Sequence, residues 1–133
     1  MNTLKITSFQ AYLFWENIEK NLQNLGRRLS SIREKTDLIV LPEMFSTGFS
    51  MNVENLAEEM DGKTMKWMLE HAKKFRCVVT GSIIIKESQK YYNRLIWMRP
   101  DGTYDFYDKR HLFGLGEEDQ HYTPGNKKLI VEL

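Results

Sequence analysis

Asp37-Leu38-Ile39-Val40-Leu41-Pro42 is the stretch on which the fold turns. Its Leu-Ile-Val-Leu core has no polar alternation, so it reads as a strand buried on both faces, the kind found inside a parallel sheet covered by helices. Proline has no amide hydrogen to donate, so Pro42 ends the ladder at once. Upstream, Ile18, Leu22, Leu25, Leu29 and Ile32 recur at steps of three and four. That period predicts a helix over 16–34 with one apolar stripe on a sheet, and it leaves Lys20, Arg27, Arg28 and Arg33 in water. Earlier still, Leu4, Ile6 and Ser8 alternate with Lys5, Thr7 and Phe9 before Gln10 and predict a first strand over 4–10. Strand, helix and strand in that order make a parallel βαβ unit.

Downstream of Pro42, residues 46–62 are mixed and polar, a long connection of the kind that carries function in an otherwise compact domain. Met65, Met68, Leu69, Ala72 and Phe75 then share one face of a helix predicted over 63–75. Cys77 to Ile85 reads as a third strand and Tyr91 to Met98 as a fourth, joined across the polar residues 86–90 as a hairpin. Pro100-Asp101-Gly102 is a turn before a strand over 103–107, and Leu129 to Leu133 looks like the start of one more strand. The whole is an α/β chain with no internal repeat, low-complexity tract or linker.

Charge and composition narrow the function. Lys and Arg exceed Asp and Glu by one, which lacks the basic excess that binding to a phosphate backbone needs, so no nucleic-acid partner is expected. No stretch approaches the roughly 18 apolar residues of a membrane span, and no basic-then-apolar leader opens the chain, which points to a cytoplasmic protein. The single cysteine, Cys77, has no internal disulfide partner, in keeping with a reducing compartment. It opens an apolar strand, so it reads as a buried, inert thiol.

Three places put charge beyond the carboxyl ends of strands, where α/β proteins keep their active sites. In Leu41-Pro42-Glu43-Met44-Phe45, Glu43 stands just past the buried strand in a partly apolar setting, which raises a carboxyl's pKa toward the range useful for proton transfer. The alternative is a solvated turn glutamate. In Tyr107-Asp108-Lys109-Arg110-His111-Leu112-Phe113, Lys109 is placed to steady a developing oxyanion, although basic triplets are more often wet loops. Glu117-Glu118-Asp119, before Thr123-Pro124-Gly125, reads by itself as an acidic surface loop. Gly62-Lys63-Thr64 is not a phosphate loop, since Ala57 stands where a glycine is needed, and His71, His111, His121 and Cys77 lack the spacing of a zinc set.

Leu41-Pro42-Glu43-Met44-Phe45 with Thr47-Gly48-Phe49, then Tyr92-Asn93-Arg94, the segment 107–113 and Tyr122-Thr123-Pro124-Gly125 resemble the nitrilase superfamily of carbon–nitrogen hydrolases, most of all its ω-amidase branch. The likeness runs in order through the whole chain. It implies a four-layer αββα sandwich, of which residues 1–133 form the N-terminal portion, about half of a single domain. It also implies a Glu-Lys-Cys triad that hydrolyses non-peptide C–N bonds through a covalent thioester. In that scheme Glu43 matches the general base, Lys109 the oxyanion lysine, and Glu118 a second glutamate that positions base or substrate. Short ω-amides of keto-dicarboxylic acids are the implied substrates, with no metal, no cofactor and no membrane, in a homo-oligomer of two or more subunits.

The departure from the family is the nucleophile: its cysteine follows the lysine by one further strand, and no cysteine follows Lys109 here. The resemblance therefore implies a chain that stops before its nucleophile and is inactive alone. A Mg²⁺-dependent phosphoesterase with Glu43 as metal ligand is the rival enzyme reading, but it leaves Lys109 without a task and expects Asn in place of Gln10. A non-catalytic assembly module is the third reading.

Overall fold

Burial explains where the Leu38-Ile39-Val40 strand lies. In the computed structural model, which describes residues 3–133, the Leu-Ile-Val run forms β2 (Leu38–Val40). It lies between two parallel neighbours, β1 (Ile6–Ser8) and β3 (Val78–Glu87). β4 (Lys90–Met98) returns antiparallel to β3, and β5 (Tyr104–Asp108) antiparallel to β4, which completes a five-stranded sheet in chain order. α1 (Ile18–Leu29) and α3 (Lys63–Phe75) are the crossovers of the parallel half, and the short α2 (Val53–Leu56) sits in the long connection after β2. The result is the α/β architecture expected: one sheet and one helical layer, half of an αββα stack.

The helical stripes do what their period predicts. Leu22, Leu25 and Leu29 of α1 and Met65, Met68 and Ala72 of α3 close over Ile39, Val79, Ile83 and Ile96 of the sheet. Each large side chain buried this way contributes about 1.5–3 kcal/mol. A second, smaller cluster of Met44, Val53, Leu56, Ile84 and Tyr122 lies beside the polar end of the sheet. The hairpin between β3 and β4 turns on Ser88 and Gln89, both left-handed at φ 49° and 61°. That mirror-image turn matches the twist of the two strands.

Two expectations are corrected. The helix predicted over 16–34 is shorter. Asn17 caps its start by accepting the Lys20 N–H at 3.0 Å, while the hydroxyls of Ser30 and Ser31 bond the carbonyls of Gly26 and Arg28 and end it. Hydroxyls that compete for helical carbonyls in this way favour termination. The strand expected over 129–133 does not form: a strand exists only through a partner's ladder, and these residues pair with none of the described strands, leaving Ile130 95% exposed.

Candidate active site

Glu43 projects from a loop fixed to β3. Past Leu41, whose N–H donates to Thr80 O at 2.8 Å, the chain bends so that the Met44 N–H donates to Ser82 Oγ at 2.8 Å and the Phe45 N–H to Ser82 O at 3.2 Å. Met44 takes a left-handed conformation (φ 47°) to make the bend. Phe45 passes over Gly81 so closely that a Cβ there would stand 2.7 Å from its ring, which is why a glycine interrupts β3. Behind the loop, the buried Asn21 side chain donates to the carbonyls of Phe14 and Ser46 and holds the two connections together. Glu43 itself is not enclosed: its side chain is 51% exposed, so the burial expected from its place after Pro42 is not found.

Lys109 leaves the end of β5 with its backbone bonded on both sides, its N–H to Asn93 O and its carbonyl to the Gly125 N–H, each at 3.0 Å. A Cβ at Gly125 would collide with the Asp108 backbone, so the Pro-Gly turn is needed for this approach. The Lys109 ammonium donates to Glu43 Oε1 and to Glu118 Oε2, both at 2.9 Å. Burial disfavours its charge, but the hydrogen bonds and charges of Glu118 and Glu43 outweigh that and hold its pKa above the ordinary lysine value.

Glu118 opens α4 (Glu118–His121) and is completely buried, contrary to the wet acidic loop that its neighbours suggest. The loop folds back on the site, and Glu118 finds three donors there: Asn93 Nδ2 at 3.0 Å, the Phe113 N–H at 2.7 Å and Lys109. Burial pushes its carboxyl toward the neutral form, but the donors and the lysine charge prevail and hold its pKa below the ordinary glutamate value. Glu117 and Asp119 stay exposed. Tyr122, after α4, donates to Ser50 O, and burial together with the charges of Glu118 and Glu43 raises its phenol pKa.

Glu43, Lys109 and Glu118, from three separate loops, thus meet in one cluster. Two residues that the sequence reading left without a role join them. Asn93 bridges the two carboxylates, donating to Glu43 Oε1 at 2.8 Å as well as to Glu118. Next to it in β4, the buried Arg94 forms a two-pronged pair with Asp108 at 2.7 and 3.0 Å, bonds Glu87, and lies 3.9 Å from the centroid of the Phe106 ring. The signal was present: an Asn-Arg pair in the middle of an apolar strand is a buried polar pair, and such groups need partners. Leu41, Ser82, Leu95 and Tyr107 line a cavity of about 260 Å³ with Glu43, Asn93 and Lys109. A second of about 490 Å³ opens beside it against Phe49, His111 and Phe113.

Cys77 lies elsewhere. β2 and β3 are parallel with Leu38 opposite Val78, so Cys77 stands at the strand starts while Glu43 follows the strand ends, about 13 Å or more away along the sheet. It is buried, and burial, with the nearby Asp37 charge, pushes its thiol up to about 11. A cavity of about 600 Å³ at that end includes Asp37, Arg76 and Cys77 and does not reach Glu43 or Lys109.

The chain is similar to several curated proteins. It is 39% identical over 132 residues to the omega-amidase YafV of Escherichia coli (strain K12), which covers 99% of this chain and 51% of that protein. It is 31% identical to the 2-oxoglutaramate amidase of Bacillus subtilis (strain 168), over 96% of this chain and 51% of that one. The crystal structure of XC1258 from Xanthomonas campestris, a CN-hydrolase superfamily protein with an arsenic adduct in its active site, superposes with a TM-score of 0.94 at 37% identity, covering 99% of this chain and 50% of that chain. The chain spans about half the length of the curated relatives it matches. The carbon-nitrogen hydrolase family model matches residues 5–131, nearly every residue described, and the chain belongs to that family.

Proposed function

We propose that residues 1–133 are the N-terminal portion of a carbon–nitrogen hydrolase domain and supply the base and the oxyanion lysine of an amidase acting on small amides. The observation that carries this reading is the placement of Lys109 between Glu43 and Glu118 at the mouth of a partly apolar cavity. An ammonium has three N–H donors, and two are committed to the carboxylates, which leaves one for a substrate oxygen. Both donors to Glu43 go to Oε1, so Oε2 remains as a proton acceptor.

A nucleophilic thiol from the part of the protein beyond these residues completes the mechanism. Glu43 takes the thiol proton as sulfur attacks the amide carbon, and Lys109 steadies the oxyanion of the tetrahedral intermediate. The C–N bond breaks as Glu43 passes its proton to the leaving nitrogen, and ammonia departs from a thioester. Glu43 then takes a proton from water as that oxygen attacks the thioester, and returns it to the departing sulfur. Glu118, ionised and buried, keeps Lys109 charged throughout.

The substrate is read as a short ω-amide of a keto-dicarboxylic acid, from the likeness to the relatives named omega-amidase and 2-oxoglutaramate amidase. A homo-oligomer in the cytoplasm is part of the same reading. None of the described helices is long and apolar enough to cross a membrane. A Mg²⁺ phosphoesterase gains no support, because the space between Glu43 and Glu118 is filled by the Lys109 ammonium. The test is ammonia release from 2-oxoglutaramate by the complete protein; no release from this or other small ω-amides overturns the proposal.

A further inference from the structure

We propose that Asn93 is a positioning residue that decides which oxygen of Glu43 exchanges protons. The inference rests on the amidase reading above. Asn93 is buried in the middle of β4, and its amide nitrogen spends both hydrogens on carboxylates, one on Glu43 Oε1 at 2.8 Å and one on Glu118 Oε1 at 3.0 Å. Lys109 spans the same two groups, to Glu43 Oε1 and Glu118 Oε2, at 2.9 Å each. The two glutamates are therefore bridged twice, once by a neutral donor and once by a cation.

The consequence differs for the two carboxylates. Both oxygens of Glu118 are engaged, Oε1 by Asn93 and Oε2 by Lys109 and the Phe113 N–H, so it is held as a fixed anion. Glu43 has both of its donors on Oε1, and Oε2 receives no hydrogen bond from any described residue. A carboxylate anchored through one oxygen cannot rotate to exchange the two without breaking both bonds. Proton transfer is thereby confined to Oε2, whose direction is fixed through all four proton transfers of a turnover.

The orientation of the Asn93 amide supports a purpose beyond packing. Its carbonyl oxygen, Oδ1, is buried and accepts no hydrogen bond from any described residue. Turning the amide over would point an oxygen at two carboxylates, so the electrostatics of the pair dictate which end faces them.

The experiment compares Asn93→Ala, Asn93→Ser and Asn93→Asp in the complete protein, with rates per folded molecule on 2-oxoglutaramate. Loss of the donor lowers kcat/KM about 10- to 100-fold in Asn93→Ala, the size of a hydrogen bond to a charged group. Asn93→Asp keeps the shape but turns an oxygen toward two carboxylates, so it is impaired more than Asn93→Ala. A side chain that merely fills space gives the opposite order. The loss falls on kcat more than on KM in Asn93→Ala and Asn93→Ser, because the lost bonds hold the base, and a loss confined to KM contradicts the positioning role. If Asn93→Ala does not fold, the Ser and Asp variants give the same comparison. An Asp variant as active as the wild type, or milder than the Ala or Ser variant, overturns the inference alone; a wild type that hydrolyses no small amide overturns the amidase reading beneath it.

Discussion

Arg94 and Asp108 face each other across β4 and β5, with Nε 2.7 Å from Oδ1, and the next rung of that ladder joins Asn93 to Lys109 on the opposite face of the sheet. Side chains alternate along a strand, so a buried ion pair on one face fixes the register that sets the polar cluster on the other. Arg94 is 1% exposed and Asp108 15%. Breaking such a pair from one side leaves an uncompensated buried charge.

Asp108→Asn is accordingly expected to destabilise the fold by about 3 kcal/mol, the lower end of the range for broken buried pairs because Glu87 still bonds Arg94. The double variant Arg94→Met with Asp108→Asn recovers part of that loss. Urea unfolding of the three proteins checks both statements, and a double variant less stable than the single one refutes the second.

Glu43→Gln is expected to lower amide hydrolysis by the complete protein at least about 100-fold with the fold intact, since the amide keeps the shape but accepts no proton. Lys109→Ala removes a fixed positive donor and costs about 100- to 1,000-fold in kcat. Steady-state rates beside thermal melts separate these effects from unfolding. Near wild-type turnover by either variant removes that residue from the mechanism.

The Lys109–Glu118 pair makes stability depend on pH at both ends. The folded pKa of Glu118 is depressed, so its contribution is present above about pH 4.5 and is lost as the pH falls through the lower folded value. The folded pKa of Lys109 is raised, so its contribution is complete below about pH 10.5 and is lost as the pH rises through the higher folded value. Glu118→Gln is expected to flatten the acid-side fall in unfolding free energy, measured between pH 2 and pH 6 by denaturant titration. An unchanged slope counts against the pair.

Cys77→Ser is expected to leave the activity of the complete protein unchanged, and the polypeptide of residues 1–133 to release no ammonia from 2-oxoglutaramate. A buried thiol with a pKa near 11 is almost wholly protonated at neutral pH. Alkylation of Cys77 by iodoacetamide should be slow in the folded chain and fast in urea. Ammonia release by residues 1–133 that disappears in Cys77→Ser contradicts all of this.

What was legible in the sequence is what local chemistry controls. The Leu-Ile-Val run of β2, the stripes of α1 and α3 and the β3–β4 hairpin depend on neighbours within a few residues, and all are found. Glu43 and Lys109 were visible because each follows a strand end inside a distinctive segment. Asn93 was not, because its task arises only when β4 and β5 pair and α4 folds back, contacts between residues far apart in the chain. Glu118 was named from resemblance, but its burial was hidden among exposed acidic neighbours. The strand expected over 129–133 failed for the same reason in reverse, since an apolar run suggests a strand but only a neighbouring ladder makes one.

The order of strands also divides the assembly of the site in time. β3, β4 and β5 form a meander of consecutive antiparallel neighbours, whereas β1 and β2 join it only after the crossovers of α1 and α3 have closed long loops. Short loops close at lower entropic cost, so the meander is the natural nucleus, and it already carries Asn93 and Lys109. Glu43 arrives with the docking of β2. During refolding, amide protons of β3 and β4 should become protected from exchange before those of β1 and β2, and the cation of the cluster will wait, already in register, for the carboxylate that completes it.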